Sequence, residues 1–417
     1  MLQFIYSQLI RLLLPFILLR LWWQGRQAPE LRVNWQQRLG FVPRATGTVV
    51  WVHAVSVGET IAAAPMVRRL LARNPDITIL MTAMTDTGLT QARKMFGDQV
   101  RYAYAPYDTP GSIRRFLNRA NPRILVIMET EIWPNMIRQC RSRRVPVFLI
   151  NARLSERSAR GYERVKSLVA PIMRSISWVA AQAEKDAERF RRIGVAASKV
   201  AVTGSVKFDV DIPEAVHEAS RQLRASLSSR PVWIAGSTHG GEDALLLAAH
   251  RQLLKEQPRA LLILVPRHPE RFEAVSELVR RQAFSLARRS LAEDPSRAQV
   301  YLGDTMGELM MLYGASDVAF VGGSLIERGG HNPLEPAGWG IPVLSGPHVF
   351  NFETIYQRLL DDRGVTMVAD ADELFHHLSI LFRDEEVRQA GGQQALSVVN
   401  KNKGALDRVV DGIIARV

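Results

Sequence analysis

Glu59 lies in the run HAVSVGET, residues 53–60, directly after a β-branched stretch and at the opening of a helical pattern. A side chain in that position reaches the carboxyl end of a sheet, and a carboxylate there can accept the proton of an attacking sugar hydroxyl. A first-turn glutamate is also favoured by the helix dipole, which predicts an ionised Glu59 under either reading. A second acidic group follows in IMETEIWPN, residues 127–135, where Glu129 and Glu131 emerge from another apolar run just before Pro134. Paired acids divide acid and base roles, bind a metal or cap a helix. No third carboxylate or histidine stands at ligand spacing, so a divalent metal site is not expected. Lys207, in GSVKFD, residues 204–209, follows the last strand-like run of the first half. A lysine there neutralises charge on a departing phosphate, or is simply solvated.

The second half carries groups suited to a nucleotide. Arg267 and His268 in PRHPER, residues 266–271, follow a strongly apolar run and open a helix, which suits Arg267 and the helix amides to a phosphate. Asp304, Met306, Gly307 and Glu308 read first as a helix cap and start, and second as a nucleotide contact. The run GGSLIERGGHNPLEPA, residues 322–337, is the most informative stretch. Its four glycines let the backbone approach a ligand, and a helix expected near Pro333 turns its free amides to phosphate while Asn332 or Glu335 holds ribose hydroxyls. The run is neither a Walker loop nor a dinucleotide fingerprint, which argues against NTP hydrolysis and hydride transfer.

These residues need elements to position them. Strand-like runs at 48–53, 77–82, 123–128, 145–150 and 200–203 alternate with amphipathic stretches, the signature of parallel strands with right-handed crossovers. The pattern lapses over 210–230, read as a linker, and resumes at 231–235, 260–265, 299–302, 318–321 and 342–344. The fold class is therefore α/β: two Rossmann-like, doubly wound domains, 24–209 and 231–417, facing a central cleft in the GT-B manner. Pattern alone equally allows a two-domain epimerase or a binding protein, because fold does not fix function.

With 417 residues, 47% apolar and 23% charged, the chain has ample material for two cores. Its single cysteine, Cys140, excludes an intrachain disulfide framework and fits a reducing compartment. A formal charge of +13 calls for an anionic partner: nucleic acid, anionic lipid or a phosphorylated substrate. The first 23 residues, MLQFIYSQLIRLLLPFILLRLWW, are apolar all round and end in an interfacial tryptophan pair, which predicts a membrane-anchoring helix rather than a cleaved signal. Arg20, Arg26, Arg32 and Arg38 follow, so the remainder is expected on the cytoplasmic side, with Arg11 compatible with a tilted or interfacial helix.

Taken together, residues 53–59, 129–135, 151–155, Lys207, 267–271 and 322–337 resemble the motifs of 3-deoxy-D-manno-octulosonic acid (Kdo) transferases, nearly end to end. The resemblance implies an inverting, metal-independent GT-B glycosyltransferase without cofactor. It would carry Kdo from CMP-Kdo to the tetraacylated lipid A precursor, lipid IVA, at the bacterial inner membrane in lipopolysaccharide biosynthesis. By the same resemblance Glu59 is the general base, and Glu129 and Lys207 stabilise the transition state. CMP falls to Arg267 and His268, to Met306, Gly307 and Glu308, and to Asn332, Pro333, Leu334 and Glu335. The implied partners are the donor, the lipid acceptor and anionic lipids of the inner membrane, not nucleic acid; a bisphosphorylated, acylated acceptor suits a basic, anchored chain.

Overall fold

The computed structural model describes residues 2–26 and 32–416, so the first residue of the expected anchor, Met1, lies outside it. The chain divides into two compact units, one formed by Met1–Lys207 and Gly404–Val417, the other by Phe208–Lys403.

In the first unit seven strands form one sheet: β1 Thr48–His53, β2 Ile77–Ala83, β3 Arg101–Tyr104, β4 Pro122–Met128, β5 Val147–Ala152, β6 Trp178–Ala181 and β7 Val200–Val202. All pair in parallel, in the order β3-β2-β1-β4-β5-β6-β7. The strands are apolar along their length because both faces are covered. Val50, Val52, Ile124, Val126 and Met128 point into one core, while Val49, Trp51, Leu125 and Ile127 point into the core on the other face. Chain order reverses direction between the neighbours β1 and β4, and such a switch point leaves a crevice at the carboxyl ends of the strands.

The second unit repeats the plan with β8 Val232–Thr238, β9 Leu261–Pro266, β10 Leu286–Arg288, β11 Val300–Leu302, β12 Val318–Val321, β13 Val343–Ser345 and β14 Thr366–Met367. Its parallel order is β10-β11-β9-β8-β12-β13-β14, with the switch point between β8 and β12. Alternation again divides the core: Trp233, Ala235, Leu262 and Leu264 on one side, Val232, Ile234, Leu261 and Ile263 on the other.

The boundaries differ from the sequence reading in two places. The stretch 210–230 is no plain linker: it holds the helix Glu214–Ser226, whose Val216, Ala219 and Leu223 pack on the second unit's core and whose Ser220 hydroxyl donates to the Met311 carbonyl at 2.8 Å. The chain end does not stay with the second unit. The helix Ala405–Ile414 sets Leu406, Val409, Val410 and Ile413, spaced for one helical face, into the first unit's core. Its Asp407 pairs with Arg69 at 2.7 Å and Arg73 at 2.8 Å; these partly exposed bridges fix register more than they add stability.

The helix Leu2–Gln24 belongs to the first unit. Residues Gln3–Gln24 are long and apolar enough to cross a membrane by length and composition, with a mean hydropathy of 1.6. Phe4, Leu12, Phe16, Leu19 and Trp23 are exposed along it, whereas Tyr6 and Ser7 near its start turn inward, Tyr6 donating to Asp108 at 3.0 Å and Ser7 to the Asn135 side-chain carbonyl at 2.7 Å.

The docking of the last helix on the first unit has a testable consequence. Ile413 is fully buried, so Ile413→Ala is expected to cost that unit about 3 kcal/mol. Hydrogen exchange followed by mass spectrometry should show faster exchange in β1 and β4 with β8 and β12 unchanged. Loss of protection in β8 and β12 instead would overturn the assignment.

Candidate functional site

In the first unit the β1 strand gives way at His53, and Ser56 caps the helix Val57–Arg73. Glu59 stands at the third helical position and closes a reciprocal box. Its main-chain N–H donates to Ser56 Oγ at 3.3 Å, while its carboxylate accepts from the Val55 N–H at 2.8 Å and the Ser56 hydroxyl at 3.2 Å. The box pins the carboxylate beside the switch point. Burial pushes its pKa up to about 7, the Val55 amide opposes this, and the charges of Glu131 and Glu129 add to the rise. The expectation that the helix dipole keeps Glu59 ionised is thus corrected: withdrawal from water outweighs the amides.

Glu129 follows β4, the strand beside β1. Its φ of 55° is a left-handed conformation that few residues other than glycine adopt, which marks a constrained position. Its Oε1 lies 3.8 Å from Lys207 Nζ, with both side chains about a third exposed. Lys207 leaves the sheet at its edge, after β7, yet reaches β4's end because the following segment turns back over the strand ends. The Val206 N–H donates to Asn151 Oδ1 at 3.3 Å, and Asn151, closing β5, is itself left-handed with φ 53°. Glu131 accepts from the Trp133 indole at 3.0 Å and is pushed up by burial and by Glu129. Glu59, Glu129, Glu131 and Lys207 therefore form one cluster of three acids and a base.

Asp108, which the sequence reading missed, supports that cluster. It accepts from the amides of Asn135 at 3.0 Å and Met136 at 2.7 Å, capping the helix Pro134–Ser142 that follows the acidic loop. Burial raises it to about 6. Nothing in its own sequence surroundings, YDTP, marks that role. His53, by contrast, is a core residue: fully buried, bonded through Nδ1 to Thr82 Oγ1 at 2.9 Å, and lowered to about 4 by burial.

In the second unit Arg267 and His268 are exposed directly after β9, and the Arg267 N–H donates to the Thr238 carbonyl at 3.0 Å. The glycine-rich run follows β12. Asn332 Oδ1 accepts from the Leu334 N–H at 3.2 Å, and its amide group reaches Glu335 at 3.4 Å. The expected helix begins at Leu334, after Pro333, but spans only Leu334–Gly338. Burial raises Glu335, while the Asn332 hydrogen bond and the charge of Arg267 pull it down. Met306 is exposed and Gly307 takes φ 87°, while Glu308 is gripped by Arg289 at 2.7 Å and 3.0 Å. Asp304 is not the helix cap expected: its carboxylate accepts from the Ser290 amide and the Arg288 guanidinium, both at 2.8 Å, and the helix Leu309–Gly314 starts further on.

The organiser of this unit, Glu242, was also missed. Wholly buried, it accepts from the main-chain amides of His239 at 3.0 Å, Gly323 at 2.6 Å, Ser324 at 2.9 Å and Leu325 at 3.0 Å. One carboxylate thereby ties the loop after β8 to the glycine-rich loop after β12 across the switch point. Among the described residues no group of three or more His, Cys, Asp or Glu is arranged to hold a metal ion.

A family profile described as 3-Deoxy-D-manno-octulosonic-acid transferase (kdotransferase) matches residues 33–210. The chain is 41% identical to the 3-deoxy-D-manno-octulosonic acid transferase of Haemophilus influenzae, over 98% of this chain and 97% of that one. It is 36% identical to the enzyme of the same description from Bordetella pertussis, over 98% of each chain. Among solved structures, UDP-GlcNAc 2-epimerase from Neisseria meningitidis is similar with a TM-score of 0.57, covering 88% of this chain and all of its own at 16% identity, a likeness of fold alone. Two Rossmann-like sheets and that likeness give a GT-B class of fold. The near full-length identities decide the rest: this chain belongs to the family of Kdo transferases, which are glycosyltransferases.

Proposed function

We propose that the chain transfers Kdo from CMP-Kdo, with inversion and without a metal, to the tetraacylated lipid A precursor lipid IVA. The observation that carries this reading is the Glu59 carboxylate, boxed at the end of β1 and raised to about 7, beside the Glu129–Lys207 pair. A base whose pKa lies near the working pH accepts a proton effectively while remaining partly ionised. In the proposed step an acceptor hydroxyl oxygen attacks the anomeric carbon of the donor and gives its proton to Glu59. The bond from that carbon to the phosphate oxygen breaks on the opposite face, and CMP departs with the electron pair. Glu129 stabilises the oxocarbenium-like charge on the sugar, and Lys207 the charge building on phosphate.

The second unit binds CMP in this reading. Arg267 and His268 supply cationic and hydrogen-bonding groups to the phosphate, and Asn332, Pro333, Leu334 and Glu335 supply polar contacts beside them. Met306, Gly307 and Glu308 complete the nucleotide site. The helix Leu2–Gln24 holds the first unit at the inner membrane, with the catalytic units on the cytoplasmic side, and surplus arginines meet anionic lipid and the acceptor phosphates.

Purified chain given CMP-Kdo generated in situ and lipid IVA should yield products heavier by whole Kdo units in mass spectrometry, and chelator should leave the yield unchanged. Glu59→Ala is expected to lose about a hundredfold or more of the rate while keeping its circular dichroism. Transfer at the wild-type rate by that variant would sink the base assignment, and activity with UDP-sugars but not CMP-Kdo would sink the donor.

Because only ionised Glu59 can take the proton, kcat/KM should rise with pH through about 7 and level off above it. Glu131→Gln removes one neighbouring negative charge, so the inflection should move to lower pH. A rise that stays in place in this variant, or a profile flat from pH 5 to 9, would contradict the electrostatic account.

A further inference from the structure

We propose that His239 and His331 form a proton-linked anion subsite, which accepts a proton together with the donor's phosphate or carboxylate; the proposal rests on the reading of the second unit as the donor-binding unit. The two rings are coplanar to within 1° and bonded Nε2 to Nε2 at 2.9 Å. His268 stands edge-on to His239, with ring centres 5.2 Å apart. Gly323, at φ 71°, leaves the space for this arrangement, since a Cβ there would come within 3.1 Å of the His331 ring and 3.4 Å of the His239 ring. Glu242 fixes both loops by binding the amides of His239 and Gly323, so the pair is set in place before any ligand arrives.

Hydrogen bonding dictates what the pair presents outward. A single N–H lies between the two Nε2 atoms. The ring that donates it keeps a lone pair at Nδ1, and the ring that accepts it carries its own proton at Nδ1. The neutral pair therefore offers one donor and one acceptor. Adding one proton to the bare Nδ1 leaves the central bond intact and gives the pair one positive charge, with an N–H donor at each outer Nδ1; the two point apart, so an anion meets the newly protonated one. An anion binds that form and is repelled by the lone pair of the other.

The surroundings hold the ligand-free pair neutral. Burial lowers His331 to about 4, with Arg267, His239 and His268 adding to the effect. Burial, His268, Arg271, Arg328 and Arg267 lower His239. The carboxylates on neighbouring elements are engaged elsewhere. Glu242 binds four amides, Asp243 binds Arg271 and Thr238, and the part-buried Glu335 is bonded by Asn332. On the adjoining segments, the Tyr356 hydroxyl meets the His331 carbonyl at 3.4 Å, His348 lines Gly330 through its carbonyl, and Glu327 is exposed on the glycine-rich run. A phosphate or carboxylate entering beside Arg267 supplies the negative charge this cluster lacks, and protonation becomes favourable with it.

The test is titration calorimetry of the full chain in detergent at pH 7, in two buffers of different ionisation enthalpy. The methyl ester of CMP serves as probe because its phosphodiester has no proton to lose or gain near neutrality. The heats should differ between buffers by an amount that reports net uptake of up to about one proton per site. In His331→Gln and His239→Gln the difference should vanish and the affinity fall about tenfold. Uptake with the methyl ester assigns the phosphate to the pair. Uptake that appears only with a CMP-activated 2-keto sugar acid, in the absence of acceptor, assigns the carboxylate. Buffer-independent heats for both ligands in the wild-type chain would overturn the proposal and leave nucleotide binding standing, whereas no binding of either would bring down the donor-site reading with it.

Discussion

Where a parallel strand turns into a helix, main-chain N–H groups are left with no partner in the sheet or the helix, and in a closed interior each must find an acceptor. Much of this structure answers that constraint with carboxylates. Glu59 takes the Val55 amide after β1, Asp108 takes those of Asn135 and Met136 after β4, and Asp186 takes that of Leu154 after β5 at 2.9 Å. Glu242 takes four at the switch point of the second sheet. Negative side chains consequently concentrate where ligands of open α/β sheets bind. Among them, Glu59 differs in facing two other carboxylates, Glu129 and Glu131.

That difference has an energetic sign. Glu59 titrates at about 7 in the folded chain against an ordinary value of 4.5, so between those pH values the folded chain holds a proton that the unfolded chain has released. The group therefore contributes less to stability as pH rises through that window, and above it the fold carries the full cost of an ionised, half-buried carboxylate. The left-handed backbone at Glu129 and Asn151 is a second local cost at the same strand ends. Strain and unfavourable electrostatics gather at one place in the first unit, while large hydrophobic clusters pack on either side of its sheet. The acidic cluster is thus supported by packing that is mainly hydrophobic.

Ten strands were legible as apolar runs because strands buried on both faces leave an unbroken β-branched signature. Of the four that were not, β3, β10 and β14 are short strands at sheet edges with partly exposed residues, and β6 reads Trp-Val-Ala-Ala, with a single β-branched residue. The glycine-rich run and the motifs around Glu59, Glu129 and Arg267 stand out because their residue types are unusual for a strand end. Asp108, His239, Glu242 and His331 do not, because what defines them is which distant amide or ring they meet: Glu242 binds a loop 81 to 83 residues further on. The last helix was misplaced for the same reason. Its apolar stripe was visible in the sequence, but no local pattern says which of two cores will receive it.

The return of that helix puts both ends of the chain in one unit, and the physical link between the apolar amino-terminal helix and the acidic cluster runs through Asp108. Its carboxylate accepts at once from Tyr6 on that helix and from the two amides that open Pro134–Ser142, directly after the loop carrying Glu129 and Glu131. Ser7 bonds the side chain of Asn135 in the same place. Shifting the amino-terminal helix would strip a buried acid of one of its three donors, and burial makes that loss expensive. The helix is thus tied to the segment that carries the acids by bonds that are costly to break. The same bonds therefore make the placement of the apolar helix also set the placement of the carboxylates.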